Sequence, residues 1–309
     1  MQQIAQRIAQ RIAVMGAGAV GSYFGGMLAR AGADVTLIAR GEHLEALRRD
    51  GLFIDSKNFQ ERVPVRASGD PAAVRDAELI LFSVKTTGTA EAARSIAPHL
   101  GPGAIVLSMQ NGVDNVEQIR AASGIPAFAA VVYVAASLPE PGRMRHEGRG
   151  DLVVGDERRE QVAVIAETFA HAGVKCRITD NIEGELWKKF LLNCAGNAVT
   201  ALGRAPYSVA AYNEFAWRVV AEALTETRNV ANAAGVQLPS DSADAAGVIE
   251  TFKKYGAATS STLQDIVRGR HTEIDSLNGY VARRGDELGV PVPVNRTLHA
   301  LVKLLEASL

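Results

Sequence analysis

The sequence lacks the marks of a disulfide-stapled, membrane-spanning or nucleic-acid-binding protein. Its two cysteines, Cys176 and Cys194, have neither the CxxC nor the ligand spacing of a metal site. No run approaches the roughly 18 apolar residues that a membrane-spanning helix needs, and the N-terminus lacks the apolar core of a signal peptide. A net charge of -1 gives no basic excess to hold a nucleic-acid backbone or an anionic membrane. These absences favour a protein of the reducing cytoplasm with buried thiols and no metal.

The composition and length of the sequence indicate a globular protein of two domains. Hydrophobic residues make up 47% and charged residues 22% of the 309 positions, which is enough for substantial cores, and the length suits two domains. Residues 1–180 alternate short apolar runs with helical stretches, whereas residues 181–309 show helical patterns alone. We predict an α/β domain followed by an all-α domain. Residues 2–10, where a doubled QRIA at residues 6–13 begins, are expected to form a loose leader.

The apolar runs of residues 1–180 have the character of buried parallel strands. They read RIAVM, DVTLIA, ELILFSV and AIVLSM, and a helical segment, VGSYFGGMLARAG, follows the first of them. Runs that are apolar throughout suit strands covered on both faces, so the pattern predicts the doubly wound, mostly parallel sheet of a Rossmann domain. FAAVVYVAA, MRHEG and DLVVG are expected to form a hairpin on the edge of this sheet. A helix over 157–172 and the strand VKCRIT close the domain.

The second domain is predicted to be built from helices separated by glycine and proline. The helical patterns cover residues 184–202, 208–234, 241–255, 260–268, 272–288 and 295–308. Strand-like runs are missing from this part of the sequence, which is why we predict an all-α domain.

The turn after the first strand carries a dinucleotide-binding motif. GAGAVG stands between RIAVM and a helix that begins near Val20, which is the context that GxGxxG requires. The first glycine permits a tight turn, the second admits the pyrophosphate, the third lets helix and strand pack, and the helix N-terminus attracts phosphate. A glycine turn without a ligand is the alternative. The predicted cofactor-binding residues are Gly16, Ala17, Gly18, Ala19, Val20 and Gly21.

The end of the second strand indicates which dinucleotide binds. An NAD site usually places Asp or Glu there to bind the ribose 2′-hydroxyl, but DVTLIA is followed by Arg40. A guanidinium pairs with a 2′-phosphate, and the missing carboxylate removes a repulsion. We therefore predict NADP, with a plain surface arginine as the alternative.

Two more polar residues follow predicted strands at their C-terminal ends, where an α/β sheet presents residues to a ligand. Lys85 ends ELILFSVK, and Asn111 follows AIVLSMQ in a Gln-Asn-Gly turn. Both are candidate cofactor-side residues. The alternatives are a solvated strand end for Lys85 and an ordinary Asn-Gly turn for Asn111.

A narrow polar stripe runs along the first helix of the second domain, in ELWKKFLLNCAGNAVTALG. Lys189, Asn193 and Asn197 fall at about 0°, 40° and 80° on a helical wheel, and apolar residues occupy most of the remainder. A solvated face is broad and rich in charge, and buried amides without partners are costly. The stripe therefore predicts a polar cavity that holds a ligand, with hydrogen bonds between helices or a partly solvated stripe as the alternatives.

A second polar cluster lies in SSTLQDIVRGRHTEIDSLNG. Ser261 and Asp265 are spaced i, i+4, so they share one face of a helix that Gly269 can interrupt. Glu273 then enters the next helix near its start. We interpret Glu273 as a carboxylate that pairs with Lys189 and keeps the ammonium charged and in position, with a helix-capping or first-turn acid as the alternative.

These segments together resemble the ketopantoate reductase family, the 2-dehydropantoate 2-reductases. The similarity runs from RIAVMGAGAVGSYFGGMLARAG to VPVPVNRTLHALVKLLE and is most specific in ELWKKFLLNCAGNAVTAL and SSTLQDIVRGRHTEIDSLNGYV. It implies a Rossmann domain joined to a helical domain of the 6-phosphogluconate dehydrogenase type. The implied activity is NADPH-dependent reduction of ketopantoate to pantoate, a step of pantothenate biosynthesis. A homodimer is a candidate assembly.

The resemblance also implies roles for the candidate residues. Lys189 corresponds to the general acid and Glu273 to the carboxylate that assists it, which is also placed among the cofactor contacts. The family's substrate-binding positions correspond here to Asn193, Asn197, Ser261 and Asn111, and the last of these lies between cofactor and substrate. The cofactor-side positions correspond to Arg40 for the 2′-phosphate and to Lys85.

One departure from the family pattern concerns the choice of substrate. Some members have another asparagine after this helix, where the present chain reads Arg-Ala-Pro-Tyr at residues 204–207. Residues 257–259 also carry only small side chains, with no obvious substrate-binding group. A reductase of another small 2-oxo acid therefore stays open. A non-catalytic NADP sensor is a further alternative, although a sensor has no need of Lys189 and Glu273.

Overall fold

The computed structural model describes residues 8–309 and divides into two compact units, Met1–Ile182 and Glu183–Leu309. The predicted loose leader lies outside the described residues from position 2 to position 7. Its last part is not loose, because Ala9 is buried and its N–H donates to Thr168 Oγ1 over 2.9 Å. Among the described residues, no helix is both long and apolar enough to cross a membrane.

The first unit alternates strands and helices, as predicted. Its strands are β1 (Arg11–Met15), β2 (Asp34–Ile38), β3 (Leu52–Ser56), β4 (Gln60–Val63), β5 (Arg66–Ser68), β6 (Leu79–Phe82), β7 (Ile105–Ser108), β8 (Phe128–Glu140), β9 (Arg143–Gly155) and β10 (Cys176–Ile178). Its helices are α1 (Ala19–Arg30), α2 (Gly41–Asp50), α3 (Thr89–Ile96), α4 (Asn115–Ser123) and α5 (Arg159–His171). Short 3₁₀ turns cover Pro71–Val74, Thr86–Gly88 and Ala97–His99.

The strands form one sheet in the order β4-β3-β9-β8-β7-β6-β1-β2-β5, with β10 paired to β9. All neighbouring pairs within the described residues are parallel except β3 with β4 and β8 with β9. The chain leaves β1 for β2 on one side and later returns to β6 on the other. The sheet therefore reverses its winding beside β1, and open α/β sheets bind ligands at the C-terminal ends of the strands at such a point.

The core explains why the central strands are apolar throughout. Ile12 and Val14 of β1 pack into one buried cluster, whereas Ala13 and Met15 pack into another. Successive side chains of a strand point to opposite faces, so both faces of the sheet are covered. The predicted mostly parallel sheet, and with it the α/β fold class, is confirmed.

The predicted position of the hairpin on the sheet edge is wrong. MRHEG and DLVVG belong to a single strand, β9, which pairs with β8 on one side and with β3 on the other. The break between the two motifs is a bulge, where Arg149 has φ 55° and Gly150 has φ 132°. The β3–β4 hairpin extends the sheet beyond β9, and it was missed because β4 is short and mostly exposed.

The second unit is all-α, as predicted. Its helices are α6 (Ile182–Leu202), α7 (Tyr207–Tyr212), α8 (Glu214–Ala233), α9 (Ala245–Tyr255), α10 (Ser261–Val267), α11 (Asn278–Leu288) and α12 (Pro293–Glu306), with a 3₁₀ turn at Ile274–Ser276. The first residue of α6 belongs to the first unit.

Two predicted helices of this unit are each divided. The pattern over 208–234 contains α7 and α8, because Asn213 leaves helical geometry and its side chain accepts hydrogen bonds from the N–H groups of Phe215 and Ala216. The pattern over 272–288 contains the 3₁₀ turn and α11, and the break lies at Leu277, with φ -108° and ψ -106°. Periodicity passes through both breaks because the apolar spacing continues across them.

Candidate functional site

The three glycines of the turn between β1 and α1 meet three different spatial demands. Gly16 has φ 97°, and a Cβ there would lie 2.7 Å from Val84 N. A Cβ on Gly21 would lie 2.5 Å from the Gly16 carbonyl oxygen and 2.7 Å from Val14 Cγ1. A Cβ on Gly18, by contrast, would meet nothing within 4 Å. The turn, the helix–strand contact and the open approach to the backbone thus coincide with the roles that the dinucleotide motif assigns to its glycines.

Hydrogen bonds hold this turn in place before any ligand binds. Ala17 N–H donates to the Ile38 carbonyl over 3.0 Å, and Ser83 Oγ donates to the Gly16 carbonyl over 2.9 Å. No side chain caps the start of α1, whose N-cap residue is Gly18. Ala19 and Val20, which open this helix, are half-buried. The first-turn N–H groups of an uncapped helix are donors for an anion, so the turn fits a dinucleotide pyrophosphate.

Alanine at Gly18 and alanine at Gly16 are expected to have opposite effects. Gly18→Ala should leave the melting temperature unchanged and raise KM for the dinucleotide roughly tenfold, equivalent to about 1.4 kcal/mol, because its methyl group occupies the open approach. Gly16→Ala should lower the free energy of unfolding by about 1–3 kcal/mol, because a positive φ and a backbone clash strain it. Thermal melts and cofactor titrations check both. Equal melting temperatures for the two variants would contradict the assignment.

Arg40 lies directly after β2 and is the N-cap residue of α2. Its side chain is 82% exposed, and its Nη2 lies 3.6 Å from Glu91 Oε1, which is also exposed. An exposed ion pair of this kind contributes little to stability. The guanidinium is therefore available to a phosphate at the end of β2.

Lys85 and Asn111 follow the ends of β6, which pairs with β1, and β7, which pairs with β6. Lys85 is exposed and begins the 3₁₀ turn at Thr86–Gly88. Asn111 is half-buried, and its backbone carbonyl accepts a hydrogen bond of 2.7 Å from Asn115 Nδ2. The first unit thus brings the glycine turn, Arg40, Lys85 and Asn111 to the C-terminal edge of one sheet.

Gln110 fixes the turn that carries Asn111, and sequence reasoning missed it. Its Nε2 donates to the Val84 carbonyl over 3.0 Å and to Thr89 Oγ1 over 2.7 Å, while its Oε1 accepts from Ser108 Oγ over 3.1 Å. The buried amide therefore ties the end of β7 to the end of β6 and to α3. A glutamine directly before an Asn-Gly turn was the available signal.

The polar stripe of α6 becomes more buried along the helix. Lys189 and Asn193 are half-buried, and Asn197 is 2% exposed. Phe190, Leu191 and Cys194 between them are buried. Lys188, one residue before the stripe, forms an ion pair with Asp241 over 2.5 Å. The Asp241 side chain is 72% exposed, so the ion pair of Lys188 lies towards solvent.

Both oxygens of Asn197 face hydroxyl groups. Its Oδ1 accepts from Tyr207 Oη over 2.7 Å and its backbone carbonyl accepts from Ser260 Oγ over 3.3 Å, while Thr200 Oγ1, 3.0 Å from the same carbonyl, shares its hydrogen with the Gly196 carbonyl and Ser260 Oγ. No hydrogen bond joins Nδ2 to any other residue in the described part of the chain. The carboxamide is therefore left as a donor.

Ser261 and Glu273 lie at the ends of a short segment that begins at α10. Ser261 is the exposed first residue of α10, whereas its neighbour Ser260 is buried and caps the helix by accepting from Leu263 N–H over 3.1 Å. Glu273 is half-buried and precedes the 3₁₀ turn at Ile274–Ser276 without capping it through its side chain. Its interpretation as a helix cap is therefore not supported, and its pairing with Lys189 stays a prediction.

The loop that carries Glu273 is clamped by the last turn of α12. The buried Glu306 carboxylate accepts from Thr272 N–H over 2.7 Å and from Thr272 Oγ1 over 2.6 Å, and it lies 2.9 Å from Lys303 Nζ. Burial alone would raise the pKa of Glu306, but the bonds from Thr272 and Lys303 outweigh it and hold the pKa below its ordinary value. The clamp thus depends on an ionised carboxylate.

Glu306→Gln is expected to lower the free energy of unfolding at neutral pH by about 1–3 kcal/mol, because hydrogen bonds to a charged acceptor are lost. The folded pKa is lowered, so this stabilisation is present above the ordinary value of 4.5 and is lost as the pH falls through the folded pKa. Denaturant titrations at several pH values check this. The difference between wild type and variant should shrink in acid, and a difference that grows would show the opposite linkage.

Neither cysteine has the surroundings of a reactive thiol. Both are free; Cys194 is buried in α6 and Cys176 is half-buried in β10. Burial raises the pKa of Cys176 to about 12 and raises the pKa of Cys194 well above its ordinary value. Both groups are therefore protonated thiols at neutral pH, and neither is suited to act as a nucleophile.

Comparison with known proteins identifies the family. A family model described as "Ketopantoate reductase PanE/ApbA" matches residues 12–159, and one described as "Ketopantoate reductase PanE/ApbA C terminal" matches residues 181–306. The chain is also 34% identical over 300 residues to a 2-dehydropantoate 2-reductase of Pyrococcus horikoshii, covering 96% of this chain and 98% of the relative. The chain belongs to the ketopantoate reductase family. The predicted resemblance is confirmed.

Other relatives of this ketopantoate reductase family member span a range of similarity. A 2-dehydropantoate 2-reductase of Halobacterium salinarum is 35% identical over 96% of this chain and 99% of its own length. The crystal structure of a family member from Ralstonia eutropha is 47% identical, with a TM-score of 0.91, and covers 96% of this chain and 99% of that one. A ternary structure of D-mandelate dehydrogenase with NADH and anilino(oxo)acetate is 25% identical, with a TM-score of 0.88, over 96% of this chain and 99% of that one.

Proposed function

We propose that this chain reduces ketopantoate to pantoate with NADPH, the reductive step that leads to pantothenate. The observation that carries the proposal is the stripe of one ammonium and two carboxamides on α6, in a chain whose first unit presents a dinucleotide turn. Members named 2-dehydropantoate 2-reductase are NADP-dependent oxidoreductases that act on a CH–OH group. The predicted cytoplasmic location and the homodimer stay predictions.

The residues of the first unit fit the cofactor. The uncapped start of α1 and the open side of Gly18 suit the pyrophosphate, and Arg40 suits the 2′-phosphate that distinguishes NADPH from NADH. Lys85 and Asn111, which follow β6 and β7 on the other side of β1, complete the set of cofactor-side residues. The nicotinamide, when bound, supplies the hydride that reduces the ketone carbon.

The residues of the second unit supply the proton and the substrate contacts. Lys189 Nζ donates a hydrogen bond to the ketone oxygen and then a proton to the developing alkoxide. Glu273 pairs with that ammonium and holds it in position. Asn193 and Asn197 donate to substrate oxygens, and Ser261 meets the substrate carboxylate. Two amide donors and a cation suit a small anionic 2-oxo acid.

The experiment that tests the proposal is NADPH oxidation by the purified chain against a panel of 2-oxo acids, repeated with NADH. We expect the highest kcat/KM with ketopantoate and NADPH, with pantoate identified as the product. Turnover of other 2-oxo acids without ketopantoate would overturn the substrate assignment and retain the reaction class. Binding of NADPH without any turnover would support the sensor instead.

A second candidate is a reductase of an aryl 2-oxo acid. It is favoured by the similarity to D-mandelate dehydrogenase, whose structure contains NADH and anilino(oxo)acetate. Arg40 argues against an NADH-dependent enzyme here, because it stands where a carboxylate would select NADH. The panel should therefore include an aryl glyoxylate, and a preference for that acid with NADH would favour this candidate.

A further inference from the structure

Tyr207 lies in the segment 204–207, where some family members have another asparagine, and its hydroxyl reaches the polar stripe of α6. Its Oη donates to Asn197 Oδ1 over 2.7 Å. Burial, together with the neighbouring Tyr255, raises the pKa of Tyr207, so the hydroxyl stays protonated and remains a donor at physiological pH. The bond joins α7 to the buried end of the stripe on α6.

Two aromatic rings pack against the ring of Tyr207 and hold it beside Asn197. It lies 4.8 Å from the Phe252 ring and 5.3 Å from the Tyr255 ring, measured between centroids. Gly196 makes this packing possible, since a Cβ there would clash with the Phe252 ring and would lie 3.1 Å from Tyr207. The backbone of Tyr207 is also fixed, because its N–H donates to the Ala258 carbonyl over 3.1 Å. The hydroxyl therefore has little freedom to leave Asn197.

The consequence is a carboxamide that is oriented with its oxygen towards Tyr207. Tyr207 takes Oδ1, while Thr200 and Ser260 take the backbone carbonyl. A buried amide whose oxygen accepts from a fixed hydroxyl in this way directs its N–H donors away from that hydroxyl, where a ligand can accept from them. The matching group on the substrate must be an acceptor, such as a carboxylate or hydroxyl oxygen.

We propose that Tyr207 is a positioning residue that orients the Asn197 carboxamide so that its N–H2 group donates to an acceptor oxygen of the 2-oxo acid. This inference rests on the proposed function, because it requires that Asn197 contacts the substrate. It assigns a role to the point at which this chain departs from the family pattern.

The test compares Tyr207→Phe with wild type on whichever 2-oxo acid wild type reduces best. We expect KM for that acid to rise about tenfold, as for the loss of one buried hydrogen bond, with kcat within about twofold and KM for NADPH unchanged. In an Asn197→Ala background, Tyr207→Phe should have no further effect, since the hydroxyl acts through that amide. Tyr212→Phe is the matched control, because Tyr212 ends the same helix with a 74% exposed side chain, and it should change nothing.

Three results in solution would overturn the proposal. One is an unchanged KM for the oxo acid in Tyr207→Phe. Another is an equal rise in that KM with and without Asn197. The third is a loss of kcat and NADPH binding together with a lowered melting temperature, as expected of a purely structural tyrosine. If wild type reduces no oxo acid, the proposed function fails on its own. Crystal structures of wild type and Tyr207→Phe then decide the orientation, because an unmoved Asn197 amide in the variant also overturns the positioning role.

Discussion

Replacing Lys189 with alanine is expected to lower kcat by about 10²–10⁴, the usual contribution of a positioned general acid. The reason is that hydride addition leaves charge on the ketone oxygen, and Lys189 is the ammonium of the α6 stripe. KM for NADPH should stay near the wild-type value, because the dinucleotide turn belongs to the first unit. Steady-state NADPH oxidation at saturating cofactor and oxo acid measures the effect.

Lys188→Ala is the matched control for this substitution. Lys188 is adjacent, is on the same helix and is paired with the exposed carboxylate of Asp241, so its loss removes a surface ion pair of little energetic value. Its kcat should remain close to wild type. If both lysine variants keep near-full turnover, Lys189 is not the acid; if both lose it equally, the effect is one on α6 rather than on the reaction.

Replacing Arg40 with alanine is expected to raise KM for NADPH by roughly 10- to 100-fold while leaving KM for NADH nearly unchanged. A hydrogen bond to a charged group contributes about 1.5–3 kcal/mol, and each 1.4 kcal/mol is about tenfold in binding. The exposed pair with Glu91 contributes little to stability, so the variant should melt like wild type. Parallel titrations with the two cofactors measure the ratio.

Arg66→Ala provides the corresponding control for Arg40. Its guanidinium is 74% exposed and paired with Asp34 over 2.8 Å, and Asp34 begins β2, so the pair lies at the other end of the strand from Arg40. We expect no change in either cofactor constant. Equal losses for NADPH and NADH in Arg40→Ala would assign Arg40 to the shared part of the dinucleotide and would remove the argument for NADP from this residue.

The parts of the fold that the sequence predicted well are those whose burial is uniform. β1, α1 and β2 were located because a strand buried on both faces is continuously apolar and because three glycines mark its junction with a helix. The β3–β4 hairpin was not predicted because β4, which reads QERV, exposes three of its four residues. Such a strand has no hydrophobic periodicity that could reveal it. The break at Asn213 did have a signal, an N-cap residue followed by Glu214, but continuous apolar spacing concealed it.

The candidate site was predictable where the residues share one element. Lys189, Asn193 and Asn197 follow from the geometry of one helix. Tyr207 and Glu306 were not predicted, because each acts on a residue of another element, and Glu306 stands 34 positions from Thr272. A one-dimensional pattern records spacing within an element, whereas these contacts are created by packing between elements.

The shielding of Cys176 and Cys194 has a practical consequence for spectroscopy. Since neither sulfhydryl offers appreciable thiolate at neutral pH, the native chain should react slowly with maleimide dyes. A single cysteine engineered on an exposed loop would then carry nearly all of the label without removal of the native ones. The protein is thus ready for fluorescence titrations of cofactor binding that need no turnover.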